Sequence, residues 1–156
     1  MPFSASQPCI TEEWRTRVLA VGGWQMVKSI LIADDSAFVR QRLGELFNRE
    51  PDFEVCAKAE NGRMAIEEAQ ESHPDLILLD FSMPVMNGLD AARTLKRLMP
   101  EVPIVMFSAY SDSFTEKEAR SAGVSALVSK FDDMSELVGI ARNLVNGTSL
   151  DRSFAA

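Results

Sequence analysis

The sequence predicts an α/β protein: a doubly wound sheet of five parallel strands, in the order 2-1-3-4-5, flanked by five helices. Three observations predict it. Short runs rich in Ile, Leu, Val or Phe recur five times, each too short for a helix. Segments with helical apolar spacing separate them. The runs lack polar alternation, which marks strands covered on both faces. Strands that alternate with helices fold as right-handed βαβ units and so build a parallel sheet.

Taken in order, residues 1–26 stand apart as an N-terminal extension. MPFSASQPC is loop-like; Ile10, Trp14 and Val18 then repeat at helical spacing before Gly22 and Gly23 break the pattern. This segment reads either as a short docking helix or as a poorly ordered extension ahead of a true start at Met26. The main domain spans 27–147. Its strands are expected at 30–33, 53–59, 76–79, 104–107 and 126–128. Its helices carry the stripes Val39, Leu43, Leu46 and Phe47; Leu89, Ala92, Leu95 and Leu98; and Leu137, Ile140, Ala141, Leu144 and Val145. Weaker helical patterns cover 62–72 and 112–122, with no internal Pro or Gly after the first residue. Residues 148–156 form a short tail, with no length left for a DNA-binding domain. This arrangement is the flavodoxin-like sheet, which binds ligands beyond the C-terminal ends of its strands.

Composition narrows the functions. The chain has 156 residues and a net charge of −7, so holding nucleic acid directly is not expected, because phosphate contacts need clustered Lys and Arg. Two cysteines, Cys9 and Cys56, make neither a disulfide framework nor a metal motif. No apolar run is long enough for a bilayer, and acidic and basic residues interrupt the N-terminus where a signal peptide would be apolar. A cytoplasmic protein is expected.

The polar residues then acquire a place. Asp34 and Asp35 follow the first strand, Asp80 ends the third, Ser108 ends the fourth and Lys130 ends the fifth. Parallel strands point these ends the same way. Three crowded carboxylates raise each other's pKa unless a cation sits among them. An all-oxygen set suits a hard ion such as Mg2+. One carboxylate can then act as a nucleophile towards phosphorus, while the Lys130 ammonium and the Ser108 hydroxyl stabilise the phosphoryl oxygens. Asp80, alone at the central strand's end, is the nucleophile; Asp34 and Asp35 are the metal pair. Pro84 and Gly88 are the turn residues that aim the loop after Asp80. Taken singly, each residue has a plainer role: Asp34, Asp35 or Ser36 as a helix cap, Ser108 as a turn hydroxyl, Lys130 as a solvated charge. Only their shared location promotes them. His73 reads as a surface residue before the Pro74 turn.

The motifs ILIADDS, LLDFSMPVMNG and IVMFSA, followed by a Lys at the end of a short strand, resemble the receiver domain of bacterial two-component response regulators, over most of the chain. The resemblance implies that Asp80 accepts a phosphoryl group. It implies that Asp35 ligates Mg2+ directly, with Asp34 assisting and the Ser82 carbonyl completing the protein's share, while Ser108 and Lys130 contact the phosphoryl group. The donor would be a sensor histidine kinase or a phosphotransfer protein. The readout would be a changed contact with a downstream protein or a phosphorylation-dependent dimer. Apart from its own phosphoryl transfer and loss, the chain is not expected to be an enzyme.

Two positions depart from the family's pattern. Phe131 follows Lys130 where a cis proline is common, so a trans peptide is expected there. Leu127 stands where an aromatic ring usually reports activation. These departures keep a second reading open: a phosphorylation-independent pseudo-receiver that only binds proteins. An Asp-based phosphatase would want a second Asp where Ser82 stands. An FMN carrier would want a Ser/Thr/Gly-rich loop where Asp34, Asp35 and Ser36 stand.

Overall fold

Apolar alternation along five strands builds two cores, one on each face of a single parallel sheet. The computed structural model describes residues 16–18, 24–109, 112–130 and 133–147. In chain order its elements are β1 (Thr16–Val18), β2 (Trp24–Met26), β3 (Lys28–Ala33), α1 (Ala37–Asn48), β4 (Phe53–Ala59), α2 (Gly62–Ser72), β5 (Leu76–Asp80), α3 (Gly88–Leu98), β6 (Ile104–Ser108), α4 (Ser113–Ser121), β7 (Ala126–Ser129) and α5 (Met134–Val145). The sheet runs β4-β3-β5-β6-β7, the predicted 2-1-3-4-5 for its five strands, and all its pairs are parallel.

Period-two alternation sorts side chains between the faces. Leu31, Ala33, Ile77, Leu79, Ile104 and Met106 face a core closed by α2, α3 and α4. Ile30, Ile32, Leu76, Leu78, Val105, Phe107, Ala126 and Val128 face the core under α1 and α5. The central strands β5 and β6 are buried along their whole length.

Each helix opens on a side-chain cap that accepts a backbone N–H of its first turn. The caps are Ser36 for α1, Asn61 for α2, Asn87 for α3, Asp112 for α4 and Asp133 for α5. Of the residues considered above for capping α1, Ser36 takes the role and leaves both aspartates free for the site. His73 is exposed and closes α2 in the left-handed region, at φ 46°, before Pro74.

Two expectations are corrected. Val18, counted in a helical stripe, lies on β1, which pairs antiparallel with β2. The partner strand supplies backbone hydrogen bonds that spacing alone does not reveal. Ile10 and Trp14 lie outside the described residues. In α3 the buried face is Gly88, Ala91, Ala92 and Leu95, and Leu98 is exposed. The helix ends there, so its last residue has no core to meet.

Cys56 is a free thiol. No helix among the described residues is long and apolar enough to cross a membrane.

Candidate functional site

The site forms because neighbouring strands end level with one another. Ala33 lies opposite Leu79 across β3 and β5, so Asp34 and Asp80 emerge side by side. On the other side Asp80 pairs with Phe107, and Ser108 pairs with Ser129, one residue before Lys130. The Lys130 N–H donates to the Ser108 carbonyl at 2.9 Å, which ties the two strand ends together.

Lys130 Nζ stands 3.0 Å from Asp80 Oδ1 and 3.2 Å from Asp34 Oδ2. Asp34, Asp35 and Asp80 each offer a carboxylate oxygen, and these lie within 4.8 Å of one another. Asp34 and Asp80 are buried, at 1% and 2% exposure, whereas Asp35 is exposed. The structure therefore gathers Asp34, Asp35, Asp80 and Lys130 into one cluster, with buried Ser108 on the adjoining strand end. Ser82 is exposed and reaches the cluster through its N–H, which donates to Asp80 Oδ1 at 3.3 Å.

Burial dominates the electrostatics. It raises the Asp34 carboxyl above its ordinary value, against the Ser36 N–H and the Lys130 charge. It pushes Asp80 up to about 6; the Lys130 hydrogen bond opposes that shift and the Asp34 charge adds to it. Burial also disfavours the Lys130 ammonium, but its hydrogen bond to Asp80 and the two carboxylate charges outweigh burial, so its pKa rises.

Asp34 Oδ2 is buried without a well-directed hydrogen bond. A buried carboxylate oxygen whose near partner is the Lys130 ammonium at 3.2 Å, beside two more carboxylates and with no soft ligand in the set, fits a hard divalent cation. Among the described residues this is the one acidic cluster of that kind.

The loop after Asp80 is clamped by two glycines. A Cβ on Gly88 would sit 2.1 Å from the Asp80 carbonyl oxygen, and the Gly88 N–H donates to the Phe81 carbonyl at 3.0 Å. Sequence reasoning named Gly88 and missed Gly62, whose N–H donates to the Met86 carbonyl at 3.0 Å and whose Cβ would meet that oxygen at 2.5 Å. The Asn61-Gly62 pair was its only signal, and that reads as an ordinary turn. Between the clamps Val85 is exposed at φ 68°, uncommon for a β-branched residue. Leu127 is half-buried, opposite Met106, and packs against the core under α2, α3 and α4. Phe131, with the peptide before it, lies outside the described residues.

A five-stranded doubly wound sheet with acids and a lysine at its C-terminal edge defines a class of α/β protein with a polar site beyond its strand ends. The comparisons make the class specific. The profile of the response regulator receiver domain matches residues 30–142, and the chain belongs to that family. A protein-glutamate methylesterase/protein-glutamine glutaminase of Pyrococcus abyssi is 41% identical over 98 residues, 63% of this chain and 26% of the relative. One from Photobacterium profundum is 38% identical over 128 residues, 80% of this chain and 31% of the relative. The chain thus spans about a quarter to a third of the length of these curated relatives. The response regulator domain of Thermotoga maritima CheB superposes with a TM-score of 0.71 at 30% identity, covering 77% of this chain and 97% of that one. A two-component response regulator of the LuxR family from Aurantimonas sp. SI85-9A1 gives 0.75 at 28% identity, covering 83% and 96%.

Proposed function

We propose that this receiver domain takes a phosphoryl group onto Asp80 from a sensor histidine kinase or phosphotransfer protein, and that the modified form changes its contact with a protein partner. The observation that carries the reading is the cluster itself: a buried carboxylate at the central strand's end, flanked by two acids and within 3.0 Å of an ammonium. An Asp80 oxygen forms the new bond to phosphorus as the donor's P–N bond breaks and the imidazole keeps the electron pair. Lys130 would balance charge on the transferred oxygens, and the Ser108 hydroxyl, from the adjoining strand end, would donate to them. Asp35, Asp34, Asp80 and the Ser82 carbonyl would hold Mg2+, which supplies further neutralisation of phosphoryl charge when bound.

The catalytic names of the methylesterase relatives are not carried over, because the match covers a receiver-sized share of them. We read this chain's own chemistry as gain and loss of the phosphoryl group, its location as cytoplasmic, and its targets as proteins, including a second copy, rather than nucleic acid.

Acetyl phosphate with Mg2+ is expected to label Asp80, and Asp80→Asn to lose the label, as read by intact mass. A retained label in the Asn variant moves the acceptor elsewhere. The second reading, a phosphorylation-independent interaction module, is favoured by Leu127, an aliphatic side chain that supplies no ring to report the modified state. Absence of any label on the parent chain would support it.

A further inference from the structure

Asp35 is the exposed member of the carboxylate cluster, and its side chain makes no hydrogen bond or ion pair with a described residue. Its position therefore follows from its backbone. The two peptide units that flank it are both tied. On one side the Ser36 N–H donates to Asp34 Oδ1 at 2.8 Å. On the other, Nη1 of Arg40 donates to the Asp34 carbonyl at 2.5 Å. The Asp34 N–H in turn donates to the Ala59 carbonyl at 3.0 Å, so the strand end itself is held.

Arg40 lies in the first turn of α1, half-buried, its own N–H on the Ser36 carbonyl at 3.0 Å. A half-buried guanidinium commonly pairs with a carboxylate, since charge-assisted bonds are the stronger kind. This one bonds a backbone carbonyl and pairs with no described carboxylate. We propose that Arg40 is a positioning residue: by holding the Asp34 carbonyl it sets the peptide between Asp34 and Asp35, and so aims the Asp35 carboxylate at Asp34 and Asp80 for a divalent cation. The proposal rests on the reading of the cluster as a Mg2+ site.

Two roles for Arg40 predict opposite signs. A bare positive charge repels the cation, and removing it tightens binding. A tether orients a ligand, and removing it weakens binding.

The test is calorimetric titration of the full chain with Mg2+, for the parent, Arg40→Lys and Arg40→Met, with thermal midpoints measured alongside. The expected order of affinity is parent, then Lys, then Met, with the Met variant weaker on the order of tenfold, as for other groups that orient metal ligands. Lysine keeps the charge and one donor but not the planar fork, so loss in that variant reports geometry alone. The Ser36 amide is expected to exchange faster in both variants.

Unchanged or tighter Mg2+ binding in the variants overturns the tether. A lowered midpoint with unchanged affinity assigns Arg40 to packing and overturns it too. A parent chain that takes up no Mg2+ fails earlier, at the metal reading itself. If Arg40→Met does not fold, the Lys variant decides by the same criterion.

Discussion

Burial, ahead of the opposing Lys130 bond and the reinforcing Asp34 charge, lifts Asp80 to about 6, so the residue proposed to react in its ionised form sits where ionisation is costly. Folding therefore works against the charge. Between the ordinary carboxylate value of 3.8 and about 6, the folded chain holds a proton that the unfolded chain has released. Stability falls as pH rises through that window, and the penalty is complete above it. Asp34 is shifted in the same direction. Asp80→Asn is therefore expected to stabilise the chain at pH 7.5 in chelator by about 1 kcal/mol, with the difference vanishing below pH 4. Urea unfolding at the two pH values reads it. An Asn variant that is less stable at pH 7.5 would show the Lys130 pairing to outweigh burial. The cost also has a functional sense, because a cation entering the cluster meets carboxylates whose charge burial leaves poorly solvated.

At the scale of elements, the five capped helices each begin just past a strand of the sheet, which is why functional side chains and caps share the same short loops. Asp133 caps α5 three residues after Lys130, and Ser36 caps α1 directly after Asp35. Helix α5 contains an anomaly. Gly139 lies at its middle, and a Cβ there would meet nothing within 4 Å. No close approach among the described residues explains a glycine where alanine would hold the helix better. Gly139→Ala is expected to raise stability by about 1 kcal/mol, a midpoint shift of about 2–4 °C in thermal unfolding. A drop instead would reveal a contact at that face. Gly88 is the contrasting case, since the Asp80 carbonyl leaves no room for a side chain.

For the molecule as a whole, the far end of α5 is locked by residues ninety positions away. Arg142 Nε and Nη2 donate to the two Asp52 carboxylate oxygens at 2.6 and 3.0 Å, and Nη2 also reaches Glu50 at 3.0 Å. The guanidinium lies 5.8 Å from the centre of the Phe53 ring. The paired Arg142 holds the Asp52 carboxyl below its ordinary range. The lock is therefore present above pH 3.8 and is lost as pH falls through the lowered value. Arg142→Met is expected to cost about 1–3 kcal/mol, seen as a lower urea midpoint with an unchanged slope. An equal midpoint would reduce the lock to a surface contact. None of this pairing is visible in the local sequence, where Arg142 reads as a polar residue in the last turn of a helix. The same holds for Arg40 on the Asp34 carbonyl, for Gly62 on Met86, and for Val18 on a strand. By contrast, the five strands, the five helices and the ends on which Asp34, Asp80, Ser108 and Lys130 fall were all legible, because periods of two and 3.6 are properties of adjacent residues. The sequence by itself determined which groups meet at one edge. Only the tertiary structure decided how level the strand ends lie, which acids are buried and which backbone atoms hold them, because register and desolvation arise between segments that have no local sign of one another.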